Sequence, residues 1–326
     1  MKQILFLATT ILLATTTQAG IYRHDVSPEK YRELARNKQF DCVGQVIGAE
    51  GTDALGGSCV LIGKRYVLSA AHVFVVAGHG KDTTYFDSAG KKTTHLQKGG
   101  RTVIVNLSGS RQVGKLKNYT FKFNERTYNA KNIKIYQSYI DSAENYNYFC
   151  GDLALIELTD TVAGIEPATL NRSYNELGMV ITGVGYGVSG PADKPDDVGP
   201  HNEKIAGQNT VDEIIGFRVN GRHAIMSCDF DHPTRNDCNK MGSANPLELE
   251  YTCGGGDSGG GIFIQHRGKY LLAGITTGGP NSGINIDQLL KTGYYGQIMQ
   301  TTRISVFYDW IQETIKGFKK ETKNGY

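Results

Sequence analysis

Short apolar runs, each closed by glycine or a polar turn, recur along most of the chain and leave strands as the main way to build it. "CVGQVIGA", "GGSCVLIGKRYVLSA", "RTVIVNL", "LALIEL", "GMVITGVGYG", "GGIFIQ" and "YLLAGITT" are of this kind. Runs of this length, bounded by turn residues and not separated by helical periodicity, point to an all-β sandwich or barrel and away from βαβ units. The 41 glycines among 326 residues supply the tight turns that such a chain needs. "GVGYGVSG" superficially matches a dinucleotide fingerprint, but the βαβ context is missing, so it reads as a strand followed by a glycine turn.

Helical patterning is confined to the two ends. "SPEKYRELARNKQ" (Ser27 to Gln39) opens with a serine cap, proline at the first helical position and an early glutamate, and predicts a short helix. In "ISVFYDWIQETIKGF", Ile304, Phe307, Trp310, Ile311 and Ile315 share one face, so this segment predicts an amphipathic helix laid on the body. Two polar stretches read as long surface loops, "AGHGKDTTYFDSAGKKTTHLQKGG" and "GVSGPADKPDDVGPHNEK". "TVAGIEPATLNRS" (Thr161 to Ser173) reads as a connection between two strand groups.

Lys2, the apolar run Ile4 to Ala14 and the small residues Thr17 and Ala19 form the pattern of a secretory signal cut near Ala19–Gly20. The expected location is therefore outside the cytoplasm, extracellular or periplasmic. The apolar run is too short to span a bilayer, and no later run is long enough, so no membrane span is expected. The net charge of +3 is spread over scattered Lys and Arg, and the basic tail "KGFKKETK" reads as a solvated helix end, so no nucleic-acid partner is expected. Six cysteines in an exported chain favour disulfides. Cys228 and Cys238 bracket a polar loop and form the expected local bridge, while Cys42, Cys59, Cys150 and Cys253 leave three pairings open. Zinc is disfavoured because there is no C-x-x-C pair and no histidine at ligand spacing. No oxygen-rich calcium run is evident, and no cofactor is expected.

The chemistry is concentrated in "YTCGGGDSGGGIFI" (Tyr251 to Ile264), which sets one hydroxyl, Ser258, among glycines. A serine becomes a useful nucleophile only when a base takes its proton and donors stabilise the oxyanion that follows. Seven of the eight histidines stand in polar or loop-like company, whereas His72 closes the apolar run "RYVLSAAHVF". Asp152 opens "DLALIEL" as a single charge at the edge of an apolar strand, where it could orient an imidazole.

In the order His72, Asp152, Ser258, the boxes "LSAAH", "DLALIEL" and "GDSGG" resemble those of the trypsin/chymotrypsin-like serine proteases. The similarity extends, less specifically, from about Gln45 to Ile315. It implies two packed antiparallel six-stranded β-barrels, residues 41–165 and 166–302. These follow a signal (1–19) and an N-terminal segment with a short helix (20–40), and precede a C-terminal helix and tail (303–326). The implied activity is that of a secreted, monomeric serine endopeptidase acting on proteins or peptides through an acyl-enzyme. In that scheme Ser258 attacks, His72 is the base and Asp152 its orienter, with Gly256 and Ser258 N–H groups as oxyanion donors. Thr252, Thr277 and Gly279 fall on the substrate-binding segments, with Thr277 in reach of Asp152. Asp257 corresponds to the family's aspartate that pairs with a freed N-terminal amine; signal cleavage itself could expose that amine at Gly20 or Ile21. Backbone or side-chain donors are the alternative partners of Asp257.

The match has departures. Val73 stands where the family usually has cysteine, and Cys253 lies one residue further from the serine. No acidic residue marks the pocket floor, where Tyr251 or Thr252 could fall, so no side-chain preference is assigned. Two other readings compete. One is a catalytically inactive binding protein of the same fold. The other is an esterase with a G-x-S-x-G elbow, which would need the order Ser, Asp, His and a parallel βα pattern.

Overall fold

The computed structural model describes residues 20–52, 54–77, 84–86, 92–93, 103–106, 111–141, 150–194, 203–279 and 295–324. The signal reading at 1–19 lies outside these residues. So do most of the first expected surface loop, residues 195–202 of the second, and residues 280–283 of the expected pocket wall.

The chain is mostly β. Six strands, β1 (Val43–Gly48), β2 (Gly57–Gly63), β3 (Tyr66–Ser69), β4 (Tyr119–Phe123), β5 (Arg126–Ile135) and β6 (Ala154–Leu158), close a barrel in the order β4-β5-β6-β3-β2-β1. β1 returns to β4 through Tyr119↔Gly48, which closes the ring and removes its edges. The two-residue period of a strand does the sorting. In β4, Tyr119, Phe121 and Phe123 are buried while Thr120 and Lys122 lie between them, and Phe74 caps this face with ring centroids 5.0 Å from Tyr119 and 6.0 Å from Phe121.

A second antiparallel set follows: β7 (Val180–Gly185), β8 (Ile205–Thr210), β9 (Glu213–Val219), β10 (Arg222–Cys228), β11 (Gly261–His266), β12 (Lys269–Gly278) and β13 (Met299–Arg303). They run in the order β8-β7-β11-β12-β13-β10-β9, and Thr169–Leu170 adds an eighth, parallel strand on β12. Here the detail differs from the expected six-stranded barrel: among the described residues the two ends of the path, β8 and β9, are not paired. One apolar cluster runs through both halves, from Val60, Leu68 and Ile156 in the first to Val184, Phe263 and Ile275 in the second.

The terminal elements clamp this body. The helix Pro28–Ala35 packs on β8, and its buried Tyr31 donates from the hydroxyl to the Glu250 carbonyl at 3.0 Å. Proline takes its first turn as expected, but the Ser27 hydroxyl makes no cap bond. The C-terminal helix, Ile304–Asn324, buries Ile304, Phe307 and Ile311 completely, with Trp310 and Ile315 packed beside them. Ile21–Tyr22 pairs in parallel with Gly190–Pro191 and antiparallel with Tyr251–Thr252, which threads the N-terminal segment into the second half.

The disulfide expectation is corrected. None of the six cysteines is in a disulfide, Cys228 and Cys238 included. Cys228 ends β10 with its thiol against the Met299 carbonyl, and the Cys238 sulfur instead accepts from Arg235 Nη2 at 2.7 Å. Carboxylates hold the intervening loop: Asp229 accepts from Lys240 N and, at 2.9 Å, from Met241 N. Glu250 takes Asp231 N at 2.8 Å and Leu247 N at 2.6 Å. Burial, reinforced by this crowd of negative charge, pushes Glu250 up to about 7 and Asp231 to about 6.

Candidate active site

Strand register brings the first two residues together. β6 runs antiparallel to β3 with Ala154 opposite Ser69, so the residues just before Ala154 lie beside those just after Ser69. After Ser69 the chain makes a single 3-10 turn, Ala71–Val73, whose buried Ala71 and Val73 leave His72 as its one partly exposed side chain. Asp152 is 1% exposed and uses both oxygens on this turn, accepting from His72 N at 2.9 Å through Oδ1 and bonding His72 Nδ1 at 2.6 Å through Oδ2.

The third residue comes from the other half, on the loop between Tyr251–Thr252 and β11. His72 Nε2 stands 2.7 Å from Ser258 Oγ. The direction of these bonds follows from their partners. An ionised carboxylate only accepts, so Nδ1 carries the proton, and the Nε2 lone pair then faces the serine hydroxyl. The ring is thereby held as the tautomer that can take the Ser258 proton.

The glycines shape this loop. Gly256 has φ +93°, and Gly259 has φ +89°, both in the region where a side chain is strained. A Cβ on Gly259 would also lie 2.1 Å from the Ser58 carbonyl and from Ser69 Oγ, so the loop can dock on the barrel only without one. The N–H groups of Gly256 and Ser258 have no acceptor among the described residues and remain able to donate. Asp257 is buried beneath them and accepts from Gly20 N at 3.0 Å, Gly187 N at 2.9 Å and Gly254 N at 2.9 Å. Burial raises its pKa to about 6 against the pull of these three donors.

Of the substrate-segment residues, Thr252 is fully buried, with its hydroxyl lacking a partner. Gly279 is half-buried beyond the end of β12 and abuts the Ile298 carbonyl. Thr277 differs from expectation, because its hydroxyl pairs with that of Thr302 at 3.1 Å instead of with Asp152. Thr302 in turn donates to the Asp152 carbonyl at 3.1 Å, so the brace on Asp152 comes from β13.

Two further residues that contact the Ser258 loop were not read from the sequence. Ser58, at the start of β2, donates from Oγ to the Gly256 carbonyl at 3.0 Å and accepts from Tyr186 N at 2.8 Å. Its own N–H donates to the Ser258 carbonyl at 2.8 Å. Gly187 feeds Asp257, and a Cβ there would lie 2.3 Å from the Asp257 nitrogen. The glycine spacing of "GVGYGVSG" was the available signal for Gly187; nothing in the sequence marks Ser58.

No family model matches the chain, and no curated protein matches it in sequence. Among solved structures it is similar in fold to neuropsin, a serine protease expressed in the limbic system of mouse brain. The TM-score is 0.51 and the identity 15%, over 90% of this chain and 98% of that one. The fold is thus trypsin-like.

Proposed function

We propose that the chain is a serine endopeptidase, exported and acting as a monomer on protein or peptide substrates. The observation that carries this reading is the unbroken line from Asp152 Oδ2 through His72 to Ser258 Oγ, at 2.6 and 2.7 Å. Such a line activates a hydroxyl for acyl transfer. As Ser258 Oγ bonds the peptide carbonyl carbon, its proton passes to His72 Nε2, and Asp152 stabilises the imidazolium. Oxygen charge is received by the Gly256 and Ser258 N–H groups. The imidazolium then gives its proton to the departing amine as the C–N bond breaks, leaving an acyl-Ser258 ester. Water, deprotonated by the same ring, cleaves the ester and restores the hydroxyl. Removal of the leader after Ala19 would turn the Gly20 N–H, already on Asp257, into an ammonium partner for that carboxylate.

The test is cleavage of a random peptide library by the mature chain and by Ser258→Ala and Asp152→Asn. The unaltered chain is expected to cleave and to take up a fluorophosphonate on Ser258. Ser258→Ala should do neither, and Asp152→Asn, which favours the wrong imidazole tautomer, should lose on the order of 10⁴ in kcat. A correctly folded mature chain that neither reacts with the probe nor cuts any peptide would refute the reading.

A further inference from the structure

The β9–β10 hairpin, the linker around Arg172 and the start of the C-terminal helix enclose a cleft of about 120 Å³. Arg172, Tyr174, Arg222, Ser305 and Asp309 are among its walls. The Arg222 guanidinium lies 3.9 Å from the Tyr174 ring centroid, and that of Arg172 lies 4.5 Å from the Tyr308 centroid. The rings fix both cations by cation–π contact without cancelling their charge. Neither has a carboxylate within ion-pair distance among the described residues. Arg303, whose guanidinium lies 5.5 Å from the Tyr174 ring centroid, is already neutralised by buried Glu176 through bonds of 3.0 and 2.6 Å. Among the described residues Asp309 is the one acidic side chain in the wall, so two guanidiniums without an ion-pair partner there stand with one carboxylate.

The helix contributes its own positive end. Ser305 and Val306 belong to the first turn of a 21-residue helix with no acidic residue in that turn. The N–H groups there lack intrahelical acceptors and favour an anion. Ser305 supplies an independent sign: it is 2% exposed, lines the cleft, and its hydroxyl has no partner. A buried unbonded hydroxyl is a rare arrangement, and a turn about χ1 would be needed to bring this one from behind the cleft wall to a ligand oxygen. We infer that this cleft binds a small tetrahedral oxyanion, a phosphate or sulfate group, between Arg172, Arg222 and the Ser305 end of the helix. The volume is that of several waters, ample for such an ion.

The inference does not depend on hydrolytic activity, and its test reads binding alone. Thermal unfolding of the full chain, titrated with sodium phosphate or sodium sulfate against sodium chloride at matched ionic strength, should show a saturable rise in Tm with the oxyanions only. Arg172→Gln combined with Arg222→Gln should weaken the apparent affinity at least tenfold, while Arg126→Gln, on β5, should leave it unchanged. Ser305→Ala should weaken the response without lowering Tm in anion-free buffer, because it removes an unsatisfied group. Glycerol phosphate beside inorganic phosphate separates the sources: tighter binding of the ester marks a phosphorylated or sulfated end group, and tighter binding of the free ion marks a free anion. An equal response to chloride, or a phosphate response that survives the double substitution, would overturn the site. So would a Ser305→Ala chain that is destabilised without anion yet keeps its phosphate affinity.

Discussion

Asp257 is a buried carboxylate held by three backbone N–H groups and raised to about 6. Its folded value lies above the ordinary carboxylate value of about 3.9, so the native state holds the proton more tightly than the unfolded chain. Its contribution to stability is therefore greatest at low pH and declines as pH rises from about 4 to about 6. An ammonium at Gly20 would reverse this, because a cation in contact favours the ionised form. A chain beginning at Gly20 should keep its stability across that interval, whereas one extended by a single Met should lose it. The Tm gap, a few degrees for a chain of this size, should be widest between about pH 6 and 8 and narrow as the amine, ordinarily near 8, deprotonates. Melting curves of the two forms from pH 4 to 9 measure it. Superimposable profiles would show that Gly20 acts only as an amide donor, and full activity of the extended form would separate activation from the amine altogether.

At the scale of elements, the serine loop is held by the start of β2, because Ser58 touches both the Gly256 and the Ser258 carbonyls. Ser58→Ala would leave the Gly256 oxygen and the Tyr186 N–H without that hydroxyl; both bonds are part-buried, so the cost stays at or below the about 1 kcal/mol end of the range for a buried group left unpaired. If the loss falls on the oxyanion turn, kcat should drop by no more than about tenfold with KM little changed; a loss in Tm alone would make Ser58 merely structural. Ser58 also shows where sequence reading stops. His72, Asp152 and Ser258 were legible because the first two stand alone in apolar frames and Ser258, beside Asp257, is set among glycines. Ser58 is one hydroxyl among many, and its role exists only because pairing brings it to residues about two hundred positions away. Thr302 escaped for the same reason, since β13 reaches Asp152 only through long-range pairing. The terminal helix was legible because its face repeats locally, with Phe307 and Ile311 in register. The second sheet's path was not: among the described residues its two ends, β8 and β9, follow one another in the chain yet no ladder joins them.

For the molecule as a whole, the compartment expected from the sequence and the covalent structure part company. The signal pattern and even cysteine count pointed together to bridges, yet none of the six sulfurs is bridged. What stands in their place is burial: Cys42 and Cys253 are pushed up to about 12, and Cys59 and Cys228 are also raised well above an ordinary thiol, chiefly by desolvation. Reactivity follows the thiolate, so burial, by favouring the neutral thiol, shields these four sulfurs without stapling them. The loop Asp229 to Glu250 is secured instead by backbone bonds to Asp229 and Glu250. Alkylation should therefore modify Cys150, the one thiol that is not buried, ahead of the other five, and all six only after unfolding. A reductant should leave Tm where it was, since no loop-closing crosslink is there to lose. A fall of several degrees on reduction, or fewer than six titratable thiols in denaturant, would restore a disulfide framework, with Cys228 and Cys238 the first pair to map.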